Sequence, residues 1–258
     1  MKSILISTSR FGTAIPDYFK YLGEEFNNNN FLVIFIFDGQ VKNMPSDKRN
    51  IKYFTYPNKR PNRLKDFIFI CKIIKKEKPI LCISNFGSTN IVTVASYMLK
   101  VPHRINYLHT SPHQLNMDSK RNPIYDGFLK QRKALILKAN TRVITNSNIM
   151  LKLIAIFFKI KKDKISVLPY LLEKSKYNWK PFDDRDFSIC IVGRLSLSKG
   201  HQDLLYAFND CKEIHPNLKL LIIGDGTEKN NLQKLILSLG LKKHVSFLGN
   251  IPNKNIGK

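Results

Sequence analysis

The residues best placed by type and spacing to do chemistry are Arg194 and Lys199, within the run VGRLSLSKG. A guanidinium followed five residues later by an ammonium, on a loop that enters a helix, can surround a diphosphate. The Arg donates bidentately, the Lys supplies a point charge, and the helix N-terminus adds partial positive charge. Spacing alone fits two solvated charges on a surface loop equally well. His109 closes the run RINYLH. A histidine at the carboxyl end of a parallel strand faces the ligand crevice, where it can bond a substrate hydroxyl or steady developing charge. Position alone favours a structural histidine, and His113 has no comparable placement. Gly12 with Thr13, in the turn after the first apolar run, reads as a tight structural turn. The histidines form no H-x-x-x-H pair with carboxylates and the cysteines no C-x-x-C, so a metal site has no support.

The elements around Arg194 and Lys199 alternate. Residues 188–192 are apolar and partly β-branched and stop at Gly193, as a buried parallel strand does. HQDLLYAFNDCKEIH follows, with Leu204, Leu205, Phe208 and Cys211 at helical spacing. Residues 218–223 form the next strand, closed by Gly224-Asp225-Gly226. Residues 232–239 form a helix closed by Gly240, and residues 245–248 a third strand ending at Gly249. This order predicts a doubly wound α/β layer that binds ligands at the carboxyl ends of its strands.

The preceding chain repeats the alternation. Strands are predicted at 3–7, 31–37, 51–56, 80–84, 104–109, 142–147 and 165–169. Helices are predicted at 15–26, 64–76, 89–99, 128–138 and 149–160. The helix at 64–76 turns Ile68, Cys71 and Ile74 inward, and Asn85-Phe86-Gly87 ends a strand at another cleft edge. The helix at 149–160 is apolar around much of its circumference, which favours burial against the first sheet over an interfacial membrane helix. Residues 118–126 are polar and loop-like. Residues 173–186, EKSKYNWKPFDDRD, lose periodicity and read as a linker between a first domain at 1–172 and a second at 187–258.

Among 258 residues 43% are apolar, as in an ordinary globular protein, and no apolar run approaches the roughly twenty residues of a membrane span. The start, MKSILISTSR, has too short an apolar core for a signal peptide, so a cytoplasmic protein is the default. Cys71, Cys82, Cys190 and Cys211 are scattered and read as reduced core thiols. The net charge of +24 is concentrated in residues 1–186, where 33 Lys and Arg face 14 Asp and Glu. Such a field favours an anionic membrane surface, at the inner face of the plasma membrane, and gives nucleic acid less support.

VGRLSLSKG, then LLYAF, HPNLKLLIIGDG and LGLKKHVSFLG, resembles in order the donor-binding half of family 4 glycosyltransferases, the retaining sugar transferases of the GT-B fold. RVITNS resembles the "ADxVIxxS" region of the same enzymes, and Pro169 alone matches their "viPNG" segment. The resemblance implies an α/β, GT-B-like fold of two Rossmann-like domains facing a cleft, the second incomplete. It gives Arg194 and Lys199 the grip on the donor phosphates. Backbone near Gly249 and Ile251 would neighbour the nucleotide base, and His109 the transferred sugar. Only Gly12 of the family's usual glycine-rich turn is present, so the resemblance offers Gly12 with Thr13 as a phosphate contact no more strongly than as a tight structural turn. The implied donor is a nucleotide-sugar, the acceptor a surface glycan or lipid-linked molecule reached past residues 118–126, and no metal or other cofactor is needed.

The family's later paired glutamates and closing helices have no counterpart here. That leads to the expectation of a C-terminally truncated chain with an exposed apolar edge and impaired turnover. A non-catalytic sugar-nucleotide or anionic-surface binding module is the alternative, and an epimerase of the same architecture has the least support.

Overall fold

A computed structural model describes residues 1–39, 44–46, 49–112, 122–170 and 181–251. These form two compact units, one within residues 1–173 and one within 174–258.

The first unit runs β1 (Ser3–Ser9), α1 (Ala14–Asn28), β2 (Leu32–Asp38), β3 (Ile51–Thr55), α2 (Leu64–Glu77), β4 (Leu81–Ser84), α3 (Thr89–Met98), β5 (His103–Leu108), α4 (Pro123–Ala139), β6 (Arg142–Thr145), α5 (Asn148–Phe158) and β7 (Ile165–Val167). Its seven strands are all parallel, in the order β3-β2-β1-β4-β5-β6-β7. The central strands SILISTS and LVIFIFD are apolar on both faces because helices cover both. On one face α1 packs Tyr18 and Phe19 against Ile4, Ile6 and Phe35. On the other, α2 and α3 bring Ile70, Ile74 and Val92 against Leu5 and Ile34. This second layer continues through α4 and α5, whose Leu137, Ile154 and Phe158 meet Leu108, Val143 and Ile165.

Several details depart from the sequence reading. In α2 the inward stripe is Asp66, Ile70, Ile73 and Ile74, while Ile68 is exposed and Cys71 half-buried. The buried Asp66 carboxylate sets this phase, accepting from the backbone N–H of Arg63 and of Asn58, each at 3.0 Å. The helix expected from residue 128 starts at Pro123, where the Asn122 side chain accepts from the Ile124 N–H at 2.9 Å. The earlier part of the 118–126 loop lies outside the described residues. Ser147 caps α5 through the Met150 N–H at 3.3 Å, which buries Met150, Ile154, Ala155 and Phe158. The expected burial of this helix holds for that stripe only, because Ile149 and Ile156 are 71% and 76% exposed.

The second unit runs β8 (Ser188–Val192), α6 (His201–Ile214), β9 (Lys219–Ile223), α7 (Lys229–Ser238) and β10 (Val245–Gly249), with parallel strand order β10-β9-β8. Right-handed crossovers that advance in one direction put both helices on one sheet face, where Leu205, Phe208, Leu232 and Ile236 meet Leu220 and Ile222. The other face is open among the described residues. Strand β8 therefore alternates instead of being buried throughout, with Cys190 and Val192 exposed. The four cysteines are free, but only Cys82 is a buried core thiol; Cys190 and Cys211 are exposed, and α6 buries His201, Leu205 and Phe208 instead. Of the expected linker, residues 171–180 lie outside the described residues, and Phe182–Asp184 form a short 3-10 turn.

Two glycines let the loops of the second unit meet. A Cβ on Gly224 would stand 1.9 Å from the Gly193 carbonyl oxygen, and one on Gly226 2.3 Å from that of Leu195. We expect Gly226→Ala to destabilise the second unit by about 2–4 kcal/mol. Gly240→Ala, where φ is +65° and nothing lies within 4 Å, should cost only about 1 kcal/mol. Urea unfolding followed by far-UV circular dichroism measures both, and equal losses would contradict the close approach.

Candidate functional site

Strands β8, β9 and β10 end together: Val192 and Gly249 both pair with Ile223. Backbone bonds then tie their loops to one another. Gly193 N–H donates to the Ile223 carbonyl at 2.9 Å, Leu195 N–H to Asp225 at 3.1 Å, Glu228 N–H to Leu195 at 3.1 Å and Gly224 N–H to Gly249 at 2.8 Å. Leu195 is fully buried and pins the β8–α6 loop, so Arg194 before it and Lys199 after it stay exposed at this edge. A Cβ on Gly193 would stand 4.0 Å from Cγ of Lys199, so the lysine stem lies over that glycine. The short 3-10 turn Leu197–Lys199 ends at Gly200, whose φ of 68° admits the left-handed turn into α6. The N-cap residue of α6, Gly200, offers no side-chain capping bond. Two cations and a helix N-terminus on one loop is an anion-binding arrangement.

Gly249, with φ +66°, and the half-buried Ile251 stand at the same edge, and the space beside Gly249 is open. The structure thus places Arg194, Lys199, Gly249 and Ile251 at the carboxyl end of one sheet. His201, which the sequence reading passed over, lies there too. Its ring is 3% exposed with both nitrogens unpartnered, and burial, then Lys199, holds its pKa below the ordinary histidine value. Its only sequence signal was its position directly after Gly200. A cavity of about 400 Å³ opens between the starts of α6 and α7, lined by Ser196, Leu197, His201, Asp203, Glu228 and Asn231. The carboxylates of Asp203 and Glu228 suit it poorly to a diphosphate, and the Arg194 and Lys199 side of the loop matches an anion better.

In the first unit His109 follows β5 inside an aromatic group, with ring centroids 4.9 Å from Phe86 and 5.4 Å from Tyr170. Its Nδ1 bonds the Tyr170 hydroxyl, and its Nε2 is buried without a partner. Burial, then Lys133, brings its pKa down to about 4, so the ring is neutral at pH 7. When Tyr170 donates to Nδ1, Nε2 carries the proton and can donate to a hydroxyl oxygen.

Other buried polar groups stand at the same edge of the seven-stranded sheet. Asn85 is fully buried with both amide atoms unpartnered, and Oγ1 of Thr8 and Oδ1 of Asn106 are likewise unsatisfied. Asp38, at the end of β2, accepts from the Gly87 N–H at 3.1 Å, and burial raises its pKa to about 7 against the effect of its bonds to Ser88 and Gly87. Gly12 and Thr13 are exposed after β1. The Gly12 N–H donates to the Asp17 carboxylate at 2.7 Å, so that donor is engaged, while the Thr13 side chain makes no capping bond. His113 lies outside the described residues. Among those residues, no group of three or more His, Cys, Asp and Glu is placed to hold a metal ion.

Residues 173–258 match the family model described as glycosyl transferases group 1. An uncharacterized glycosyltransferase of Methanocaldococcus jannaschii is 28% identical over 225 residues, covering 79% of this chain and 54% of that protein. The N-acetylgalactosamine-N,N'-diacetylbacillosaminyl-diphospho-undecaprenol 4-alpha-N-acetylgalactosaminyltransferase of Campylobacter jejuni is 30% identical over 154 residues, covering 58% of this chain and 40% of that protein. The chain thus spans about half the length of these curated relatives or less. Among solved structures, the Anabaena protein HepE in complex with UDP-glucose superposes with a TM-score of 0.68 at 16% identity, covering 97% of this chain and 70% of that one. The fold is GT-B-like, and the match to the group 1 model lies in the C-terminal third of the chain.

The depressed His109 pKa has a consequence for stability. As pH falls below 6.5 the unfolded chain takes up a proton at this histidine while the folded chain resists until about 4, so stability is lost across that window. Allowing for the ring's partial contact with solvent, the loss is about 2 kcal/mol. Urea unfolding at pH 7 and pH 4.5 should show it in the parent and not in His109→Gln. An equal loss in both would contradict the buried neutral ring.

Proposed function

We propose that this chain, whose residues 173–258 carry the glycosyl transferases group 1 segment, acts as a glycosyltransferase that moves a sugar from a nucleotide-sugar donor to a surface-glycan or lipid-linked acceptor. The observation that carries the reading is the convergence of three strand ends on one edge, with Arg194 and Lys199 on the loop entering α6. As the bond between sugar and diphosphate breaks, negative charge grows on the leaving phosphate oxygens. Arg194, Lys199 and the helix N-terminus are the groups proposed to offset it, with no need of a metal. Backbone at Gly249 and Ile251 would border the base. His109, neutral and with a free Nε2, would bond a hydroxyl of the transferred sugar, and the Thr13 hydroxyl beside the engaged Gly12 is a lesser candidate for a phosphate contact.

Support for the donor class comes from the likeness to a fold that holds UDP-glucose, and for the acceptor class from the relative whose name includes a diphospho-undecaprenol. Retention of configuration and a hexose as the transferred sugar follow from the family resemblance. No helix among the described residues is long and apolar enough to cross a membrane. The excess of Lys and Arg in residues 1–186 supports a cytoplasmic protein in peripheral contact with an anionic membrane surface. The face of the three-stranded sheet that is open among the described residues favours a second reading, a nucleotide-sugar binding module without catalysis.

Calorimetry with a panel of nucleotide-sugars, each followed by product analysis, separates the two readings. Heat with no product favours the module. In either case Arg194→Ala with Lys199→Ala should weaken donor binding about a hundredfold, roughly 3 kcal/mol for two charge-assisted contacts, with the circular dichroism spectrum unchanged. Unaltered affinity in that double variant would remove both residues from the site.

A further inference from the structure

We propose that the outer faces of α4 and α5, together with the cationic cavity at their C-terminal ends, form the surface by which the first unit docks on an anionic lipid bilayer. The two helices lie side by side on one face of the seven-stranded sheet, where Nζ of Lys130 stands 4.1 Å from the ring centroid of Phe157. Each turns one stripe inward, leaving the opposite stripe to solvent. On α5 that outer stripe is Ile149, Lys152, Ile156 and Lys159, spaced by three or four residues. On α4 it is Ile124, Phe128, Leu135 and Lys138, whose three apolar members are 84%, 60% and 68% exposed. Large apolar side chains exposed in series on two neighbouring helices exceed what packing on the sheet requires.

The two stripes converge. Lys138 and Lys159, the last member of each, both line a cavity of about 540 Å³ beside the amino ends of β6 and β7. Arg142, Lys161 and Lys164 line it as well, against one carboxylate, Asp163. Arg142 donates to the Asp163 backbone carbonyl at 2.9 Å and to Ser166 Oγ at 3.3 Å, both neutral acceptors. Cations at helix C-termini answer the helix dipole, which accounts for Lys138 and Lys159. It also accounts for Lys164, whose Nζ donates to the Lys138 backbone carbonyl in the last turn of α4, but not for Arg142 and Lys161, or for the isoleucines and leucine beside them. A concave group of five cations suits the phosphate of a lipid headgroup, and the flanking aliphatic side chains suit the boundary between headgroups and acyl chains.

A second copy of this chain is a poor occupant, because it carries the same net charge of +24 and would bring two cationic cavities together. A nucleic acid would leave Ile149, Ile156 and Leu135 with nothing apolar to cover them. The inference rests on the membrane contact proposed above and not on sugar transfer.

The test is sedimentation of the full chain with vesicles of mixed phosphatidylglycerol and phosphatidylcholine, set against phosphatidylcholine alone. The parent should bind the mixed vesicles and lose binding as salt is raised. Lys138→Gln with Lys159→Gln should lower partitioning about thirtyfold, from about 1 kcal/mol for each cation near the surface. Ile149→Ser with Ile156→Ser should lower it severalfold at unchanged net charge. Arg194→Ala with Lys199→Ala should bind vesicles as the parent does even where donor binding is lost, which separates failure of this surface from failure of the sugar-transfer reading. Absence of parent binding to the mixed vesicles, or binding unchanged in both surface pairs, would overturn the proposal. So would a self-associated form, or a complex with RNA, that the isoleucine substitutions dissolve while vesicle binding persists.

Discussion

The approach of one loop backbone to another at Gly224 and Gly226 is the constraint on which the second unit's chemistry depends. With no side chain at either position, the carbonyls of Gly193 and Leu195 come within what would be overlap distance of a Cβ. Leu195 can then be buried and bonded on both its backbone groups, to Asp225 and to Glu228. That anchor decides what the rest of the loop does. With Leu195 held inside, Arg194 and Lys199 are left outside, and the chain must turn through the left-handed Gly200 into α6. The cations are placed by apolar burial and by two missing methyl groups, and their shared exposure at the sheet edge is a by-product of that packing.

The first unit handles charge and polarity differently. Its carboxyl edge contains buried groups that lack partners: the Asn85 amide, the Thr8 hydroxyl, one oxygen of Asn106 and Nε2 of His109. Leaving such groups unsatisfied costs roughly 1–3 kcal/mol each, a cost that a hydroxyl-rich ligand or ordered water would offset. Burial keeps His109 neutral and drives Asp38 towards its protonated form, so this edge offers hydrogen bonds more than charge. A group of five cations stands at the opposite edge, at the amino ends of β6 and β7 and at the C-terminal turns of the helices that cover them. The buried part of the carboxyl edge thus offers mainly hydrogen bonds, whereas the amino ends of β6 and β7 are cationic.

Much of this was legible in the sequence because parallel strands buried between helices read as apolar runs that stop at glycine or at a polar turn. The strands of the first sheet follow that grammar, and so do the stops at Gly193, Gly224 and Gly249, although the three strands that end there are covered on one face only among the described residues. Errors arose where residue type and environment part company. Asp66 is polar yet fully buried, because its carboxylate caps the start of α2, and that capping rotated the helix away from the phase Ile68 suggested. Cys190 and Cys211 are apolar in type but lie on surfaces that no described element covers, which composition cannot reveal. The pairing of His109 with Tyr170, 61 residues later, is a tertiary event with no local signature. Asn85 was legible only as part of a cleft edge and His201 only by its place after Gly200, and their burial without partners had no sequence signal.

Amide hydrogen exchange with and without a saturating nucleoside diphosphate tests the central claim most directly. Slowed exchange confined within the second unit to the loops at 193–201, 224–226 and 249–251, with the helices α6 and α7 otherwise unchanged, is what the convergence of these three strand ends predicts. Protection that leaves 193–201 untouched, or none at all in a chain whose fold is intact, would contradict the placement of a diphosphate at Arg194 and Lys199.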